Sequence, residues 1–221
     1  MSIARDCNIR QMPGRVWYNP TQKAFINGMP ALQGHEWDGS LTRPPWAWGD
    51  RGTIDQLKKY VKESLEGLQE GICAFCGMRL YVTSAPQIEH IAPKGIGRYP
   101  QFMFHSCNLV LACSLCNGFE KKEKKEHFNT ISRLDPVYEN SYFNIVHPHL
   151  DDPMAHYSIN RNGSKITIAH LTLKGQKSIA VFKLDEEPLT TERGKVLFEK
   201  LYDFDSKFNN DFEAACQRRG Y

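Results

Sequence analysis

No apolar stretch of the 221-residue chain approaches the roughly 20 residues that a membrane span requires, which excludes an integral α-helical membrane protein. There is no Gly-rich phosphate loop, so the chain carries no visible ATPase of its own. Internal repeats and low-complexity tracts are also missing, which excludes a solenoid or a linker-like protein. The opening residues, MSIARDCNIRQMPGR, lack the apolar centre of a signal peptide, and the expected location is the cytoplasm. Charge is nearly balanced, at +3 overall. Hydrophobic residues are not scarce: at 41%, with 11% aromatic, they supply enough apolar surface for a folded core.

Seven cysteines stand out against this background. Four form two Cys-x-x-Cys pairs, Cys73/Cys76 and Cys113/Cys116. A two-residue spacer lets a tight knuckle aim both sulfurs at one ion, and two knuckles complete a tetrahedral four-thiolate site for structural Zn2+. Between the pairs lie 36 residues, 77 to 112, more than the roughly 15–20 of a common zinc ribbon, so a sizeable insert separates the knuckles. Two disulfides or four free thiols are the alternatives, and they fit a chain with no secretory features less well. Cys107 has no partner at ligand spacing and reads as a free thiol.

The insert carries the chemistry. Leu80-Tyr81-Val82 and Gln87-Ile88-Glu89-His90-Ile91 are short and β-rich, with Ser84-Ala85-Pro86 as a turn. A charged run after Asn117-Gly118-Phe119 suits a helix. The expected order is strand, strand, helix. His90 is a candidate general base, because its ordinary pKa lies near working pH. Glu89 offers a hard carboxylate suited to Mg2+ or Mn2+, and Asn117 a neutral carboxamide oxygen. Neighbours on a regular strand face opposite ways, so a bend or bulge is expected at Glu89-His90. From Cys73 to His127 seven Lys or Arg stand against four Glu, a difference of +3, so the whole excess charge falls in this core. That suits a phosphodiester substrate.

Elsewhere the signals concern the frame. Residues 1–52 hold all four tryptophans and five prolines (13, 20, 30, 44, 45). They read as an irregular arm that packs on the body or docks on a partner. Residues 53–69 form the clearest helix, with Thr53 and Gln56 as a capping box and Ile54, Leu57, Val61, Leu65 and Leu68 on the buried face. Asn162-Gly163 between alternating segments predicts a hairpin. A helix is expected near 175–183, and a last one after Thr190 or Thr191, with Val196, Leu197, Leu201, Phe204, Phe208 and Phe212 as its apolar stripe. His105 and His127 read as surface histidines. His147, His149 and His156 with Asp151 and Asp152 invite a second metal site, but their spacing fits no template.

The order Cys-x-x-Cys, Glu-His-x-x-Pro-Lys, Asn-Leu, Cys-x-x-Cys-Asn, Lys resembles the HNH endonucleases of the ββα-metal class, in the variant braced by a four-cysteine zinc. More narrowly it is similar to the bacterial anti-phage HNH nucleases typified by the PtuB component of Septu and of some retron systems. Leu134-Asp135-Pro136, the stretch Leu150 to Tyr157 and Asn162-Gly163 are similar to the tail those proteins carry. The resemblance implies an α+β fold, a ββα-metal core, and roles for single residues. His90 would activate water, while Glu89 and Asn117 hold catalytic Mg2+ or Mn2+. Asn108 would brace the loop positioning His90. Lys94, Lys121 and Lys122 would contact phosphate. Glu89 stands where many relatives carry Asp, which leaves the metal geometry the loosest assignment.

The expected organisation is an arm at 1–52, a helix plus nuclease core at 53–128, and a C-terminal hairpin and helical region at 129–221. The expected activity is hydrolysis of DNA by a bacterial cytoplasmic endonuclease, an antiviral-defence effector working with an operon-encoded, PtuA-like ATPase. The alternatives are a non-catalytic zinc-braced nucleic-acid-binding or scaffold subunit, and a nuclease directed at RNA or tRNA.

Overall fold

The structure is a computed structural model that describes residues 7–29, 31–38, 51–82, 85–117 and 130–202, with single residues at 210, 214 and 218. In chain order the elements are α1 (Pro20–Asn27), α2 (Arg51–Gln69), β1 (Gln87–His90), β2 (Leu109–Ala112), β3 (Ile131–Arg133), β4 (Tyr142–Phe143), β5 (Tyr157–Asn162), β6 (Lys165–His170), α3 (Leu173–Phe182) and α4 (Leu189–Tyr202). The strands form three two-stranded antiparallel sheets, β1–β2, β3–β4 and β5–β6. This is an α+β arrangement. Among the described residues no helix is long and apolar enough to cross a membrane.

The N-terminal segment departs from the irregular arm expected of it. Pro20 sits in the first turn of α1, where a missing N–H costs nothing. Asn19 accepts the Gln22 N–H at 2.9 Å while Gln22 accepts the Asn19 N–H at 2.9 Å, a reciprocal capping box. Ile9, Val16, Tyr18 and Trp37 are buried in the main core, so this segment packs on its own body. Trp17 is exposed; Trp46 and Trp48 lie outside the described residues.

α2 begins at Arg51, two residues before its expected start, and the Thr53 cap lies outside the described side chains. Ile54, Leu57, Val61 and Leu65 are buried as their spacing predicts, and the helix packs on β2. Gln69 ends the helix and is itself buried. Its amide accepts from Leu111 N at 2.6 Å and donates to Leu111 O at 2.9 Å, completing the edge of β2 that β1 leaves open.

The strand expected at Leu80-Tyr81-Val82 does not form. Those residues turn: Tyr81 has φ 66° and is exposed, and Leu80 N donates to Gly71 O at 2.7 Å, closing the first knuckle against the end of α2. The true partner of β1 is Leu109-Val110-Leu111-Ala112. All four are fully buried, and a strand covered on both faces shows a continuous apolar run without alternation, the pattern that conceals it. The helix expected after Asn117 falls at residues outside those described.

The hairpin expected about Asn162-Gly163 forms, with Asn162 opposite Lys165. α3 and α4 pack on β6. Thr172 caps α3 by accepting the Gly175 N–H at 3.1 Å. Val196 and Leu197 of the last helix are buried; the Leu201 side chain and Phe204, Phe208 and Phe212 lie outside the described residues.

Candidate functional site

β2 delivers the second cysteine knuckle onto the first. Cys73, Cys76, Cys113 and Cys116 are all buried, with their sulfurs within 4.8 Å of one another and Cys76 Sγ 3.8 Å from Cys113 Sγ. A zinc–sulfur bond of about 2.3 Å in a regular tetrahedron implies sulfur–sulfur edges of about 3.8 Å. None of the four is in a disulfide. Each knuckle is closed by backbone bonds, Gly77 N to Cys73 O at 3.1 Å and Cys116 N to Cys113 O at 3.0 Å. The Cys113 N–H also reaches Cys73 Sγ at 3.4 Å. Hydrogen bonding within the tetrad, first from Cys116, holds the Cys113 thiol well below its ordinary pKa, while Cys76 and Cys116 are raised well above theirs. The four thiols fit a closed structural zinc.

β1 carries the Glu-His pair beside this cluster. Its ladder with β2 is regular through four successive pairs, Gln87–Ala112 to His90–Leu109. The expected bulge is absent, and the chain bends only after the pair, at Ile91 and Ala92. The pleat therefore sets Glu89 and Gln87 on one face and His90 on the other. Asn117 joins the first face: its side-chain amide donates to Gln87 Oε1. Glu89 and Asn117 thus supply two hard oxygen donors to one face of β1, a set that suits Mg2+ or Mn2+ better than zinc. Gln87 belongs to this group by strand period alone, and period-two counting back from Glu89 would have found it.

His90 lies in the opposite environment. It is buried, and its Nε2–H donates to Met103 O at 3.1 Å, which fixes the tautomer and leaves the Nδ1 lone pair as the basic site. Trp37 covers the ring edge-on, with centroids 4.6 Å apart. Burial, and then the nearby Lys94 charge, push the imidazole pKa down to about 3.

Asn108 connects the strand pair to the loop that follows His90. It is fully buried. Its Oδ1 accepts from Ala92 N at 2.6 Å and Tyr138 Oη at 2.9 Å; its Nδ2 donates to Ala92 O at 3.0 Å and Phe102 O at 2.9 Å. All four bonding positions of the amide are filled. Tyr138 in turn accepts from His147 Nε2 at 2.9 Å, and His147 Nδ1 accepts from His149 N at 3.1 Å. His149 Nε2–H donates to Leu109 O at 3.1 Å. The two histidines are therefore parts of a buried frame, and burial lowers the pKa of both. Asp151 accepts from His147 N and pairs with Lys174 at 2.9 Å, and His156 meets Thr172 Oγ1. These hydrogen bonds account for the cluster that invited a second metal site. Nothing local in the sequence announces Tyr138.

A strap formed by residues 31–38 lies across His90 and Lys94. Gly34 has φ 106°, and a Cβ there would come within 2.6 Å of Ile96 N. Glu36 is fully buried, its carboxylate accepting Gln33 N at 2.7 Å and Gly34 N at 2.8 Å. This places Trp37 over His90 and sets Asp38 Oδ2 2.9 Å from Lys94 Nζ. Lys58 of α2 lies 5.9 Å from the Trp37 ring centre. Lys94 is thus ion-paired in the free chain. Lys121, Lys122 and His127 lie outside the described residues.

His105 is half-buried rather than a surface residue, stacked on Tyr138 with centroids 4.4 Å apart. Together with Cys107 and Glu139 it forms a second compact group of metal-ligating types. Arg15 Nη1 already contacts Cys107 Sγ at 3.5 Å and Glu139 Oε1 at 3.3 Å, so a cation occupies that position.

The chain is 33% identical over 149 residues to the Septu protein PtuB of Bacillus mycoides (strain KBAB4), an alignment that covers 62% of this chain and 50% of that protein. The chain thus spans about half the length of the curated relative it matches. No protein-family profile matches the chain, and no solved structure matches it.

Proposed function

We propose that the chain is a metal-dependent HNH endonuclease that hydrolyses DNA, acting as the effector of a Septu-like bacterial anti-phage defence system with an ATPase partner. The observation that carries this reading is the Glu89-His90 pair ending a strand whose partner strand leads directly into a zinc-fit cysteine knuckle, with Asn117 bonded on the Glu89 face. The similarity to a Septu protein supports the defence role and the partner.

Each residue has a definite task in this scheme. Glu89 and Asn117 would hold Mg2+ or Mn2+, which when bound stabilises charge on the scissile phosphate and the leaving oxygen. His90, fixed by Met103 O through Nε2, takes a proton from the attacking water at Nδ1. Asn108 keeps the backbone at Ala92 in place, so the ring cannot drift from its carbonyl anchor. Lys94 meets a phosphate oxygen once Asp38 releases it.

The covered geometry is a resting one. A base whose pKa sits near 3 is too weak to remove a proton from water efficiently at neutral pH. Lifting Trp37 rehydrates the ring and returns its pKa toward 6.5, and the same movement frees Lys94 from Asp38. A partner ATPase that displaces the strap would couple defence signalling to cleavage.

Plasmid cleavage with Mg2+ or Mn2+ tests this reading, comparing wild type with His90→Ala at matched zinc content, with and without the neighbouring ATPase and nucleotide. Cutting by wild type that the variant loses is the expected result. No cutting under any of these conditions overturns it. One observation favours a second reading, a non-catalytic zinc-braced binding or scaffold subunit: the burial of His90 on the face opposite Glu89. In that case His90→Ala leaves phage protection unchanged.

A further inference from the structure

Two short 3₁₀ turns, Ser106–Asn108 and Tyr138–Asn140, are joined beside the loop that follows His90. Their buried members, Asn108 and Tyr138, share the 2.9 Å hydrogen bond of the frame. The residues next to them in sequence are His105, Cys107 and Glu139. The junction therefore gathers an imidazole, a thiol and a carboxylate, with their ligand atoms all within 4.8 Å of one another.

The three groups are held, yet their bonding capacity is not used up. Among the described residues neither ring nitrogen of His105 has a hydrogen bond. Nδ1 is buried without a partner, and Nε2 stands 3.6 Å from Glu139 Oε1, beyond hydrogen-bond range. The ring is fixed all the same, stacked on Tyr138 and met edge-on by Phe102 with centroids 6.3 Å apart. Cys107 is buried and in no disulfide. Arg15 Nη1 touches both the Cys107 sulfur and the Glu139 carboxylate, so the groups converge where a positive charge is stable. The Arg15 side chain is 60% exposed, and an ion pair that open to water is weak enough to be displaced.

Ligand chemistry selects the ion. Sulfur with imidazole suits Zn2+, whereas Mg2+ and Mn2+ prefer all-oxygen shells. Bonds of about 2.0–2.2 Å to nitrogen and oxygen in a tetrahedron imply an edge of about 3.4 Å, close to the 3.6 Å between His105 Nε2 and Glu139 Oε1. Three protein ligands leave a fourth position for water, unlike the closed set of four cysteines.

We propose that His105, Cys107 and Glu139 form a second zinc site, at which Zn2+ takes the place of the Arg15 guanidinium. The bound ion ties the two turns together through Cys107 and Glu139, as the Asn108–Tyr138 bond ties them through the adjacent residues. It thereby stiffens the loop that positions His90. The site shares no residue with the cysteine tetrad or with Glu89 and Asn117. The proposal depends neither on those groups holding a metal nor on nuclease activity.

The test uses the full chain. Zinc bound per chain is measured by equilibrium dialysis over a range of free zinc for wild type, Cys107→Ala, Glu139→Gln and Arg15→Ala. Each variant is read as its difference from wild type, so zinc held elsewhere cancels. The expected result is one zinc fewer in Cys107→Ala and in Glu139→Gln. Arg15→Ala should hold that zinc about two- to fivefold more tightly, because no exposed ion pair has to break. Co2+ used in place of zinc should give a sulfur-to-metal charge-transfer band that loses one equivalent's intensity in Cys107→Ala. Zinc content in Glu139→Gln equal to wild type overturns the proposal. That carboxylate is only partly buried, so this variant decides the matter if Cys107→Ala does not fold. Weaker zinc binding in Arg15→Ala overturns the displacement of the guanidinium.

Discussion

The indole of Trp37 stands edge-on to the imidazole of His90, with ring planes at 89° and centroids 4.6 Å apart. The contact removes the candidate base from water and, with Lys94 nearby, depresses its pKa to about 3. Trp37→Ala should readmit water and raise that pKa toward 6.5, followed by NMR titration of the imidazole protons. The same variant should cut plasmid faster than wild type when no partner is present. A pKa that stays near 3 would show that Trp37 is not what dries the ring.

Burial of neutral histidines also links the fold to pH. His90 titrates near 3 in the folded chain, chiefly through desolvation, and desolvation likewise lowers His147 well below the ordinary 6.5. The unfolded chain takes up these protons as pH falls through about 6.5, and the folded chain does not until far lower. Stability is therefore full above about pH 6.5 and declines from there toward pH 3. The slope is about 1.4 kcal/mol per pH unit for each histidine. Urea midpoints at pH 7, 6 and 5 measure this, and His90→Ala should shallow the slope by one histidine's share.

Asp38 pairs with Lys94 at 2.9 Å, the cation that the nuclease reading assigns to a phosphate. Its replacement by Ala leaves Lys94 available. On the nuclease reading, Asp38→Ala should bind duplex DNA more tightly and steepen the slope of log affinity against log salt by about one, the signature of one added phosphate contact. Fluorescence anisotropy across a salt series reads both. An unchanged slope argues that Lys94 points away from the nucleic acid.

Asn108 serves four partners at once. Asn108→Ala strands two backbone carbonyls, one backbone N–H and the Tyr138 hydroxyl in a dry interior. Single unsatisfied buried groups cost about 1–3 kcal/mol. Partial relaxation brings the expected loss to roughly 3 kcal/mol in urea unfolding. Tyr138→Phe removes one of those bonds and also the acceptor of the buried His147 Nε2–H, and should cost about 2 kcal/mol. A variant at Asn108 as stable as wild type would show that the loop after His90 does not depend on it.

Local chemistry made part of this molecule legible from its residues. Two Cys-x-x-Cys pairs converge because a short spacer fixes two sulfurs on one knuckle, whatever lies between the pairs. α2 and the β5–β6 hairpin follow from the period of their apolar positions and from Asn162-Gly163. The β1–β2 pairing was hidden because β2 is apolar on both faces and its partner lies across the loop from Ile91 to Asn108. Asn19, Pro20 and Gln22 carry the capping chemistry of α1, set among prolines that by themselves disfavour a helix.

Residue types and their near neighbours determined which groups were available: four thiols for a metal, a carboxylate next to an imidazole, and asparagines before and after the second cysteine pair. Tertiary structure alone decided their state. It laid Trp37 over His90, tied Lys94 to Asp38, turned Glu89 and His90 to opposite faces, and brought His105, Cys107 and Glu139 together. Those outcomes depend on contacts between residues tens of positions apart. Sequence spacing specifies a turn or a helix face. Burial, and with it the pKa and charge balance of a buried group, is set only when distant segments pack and exclude water.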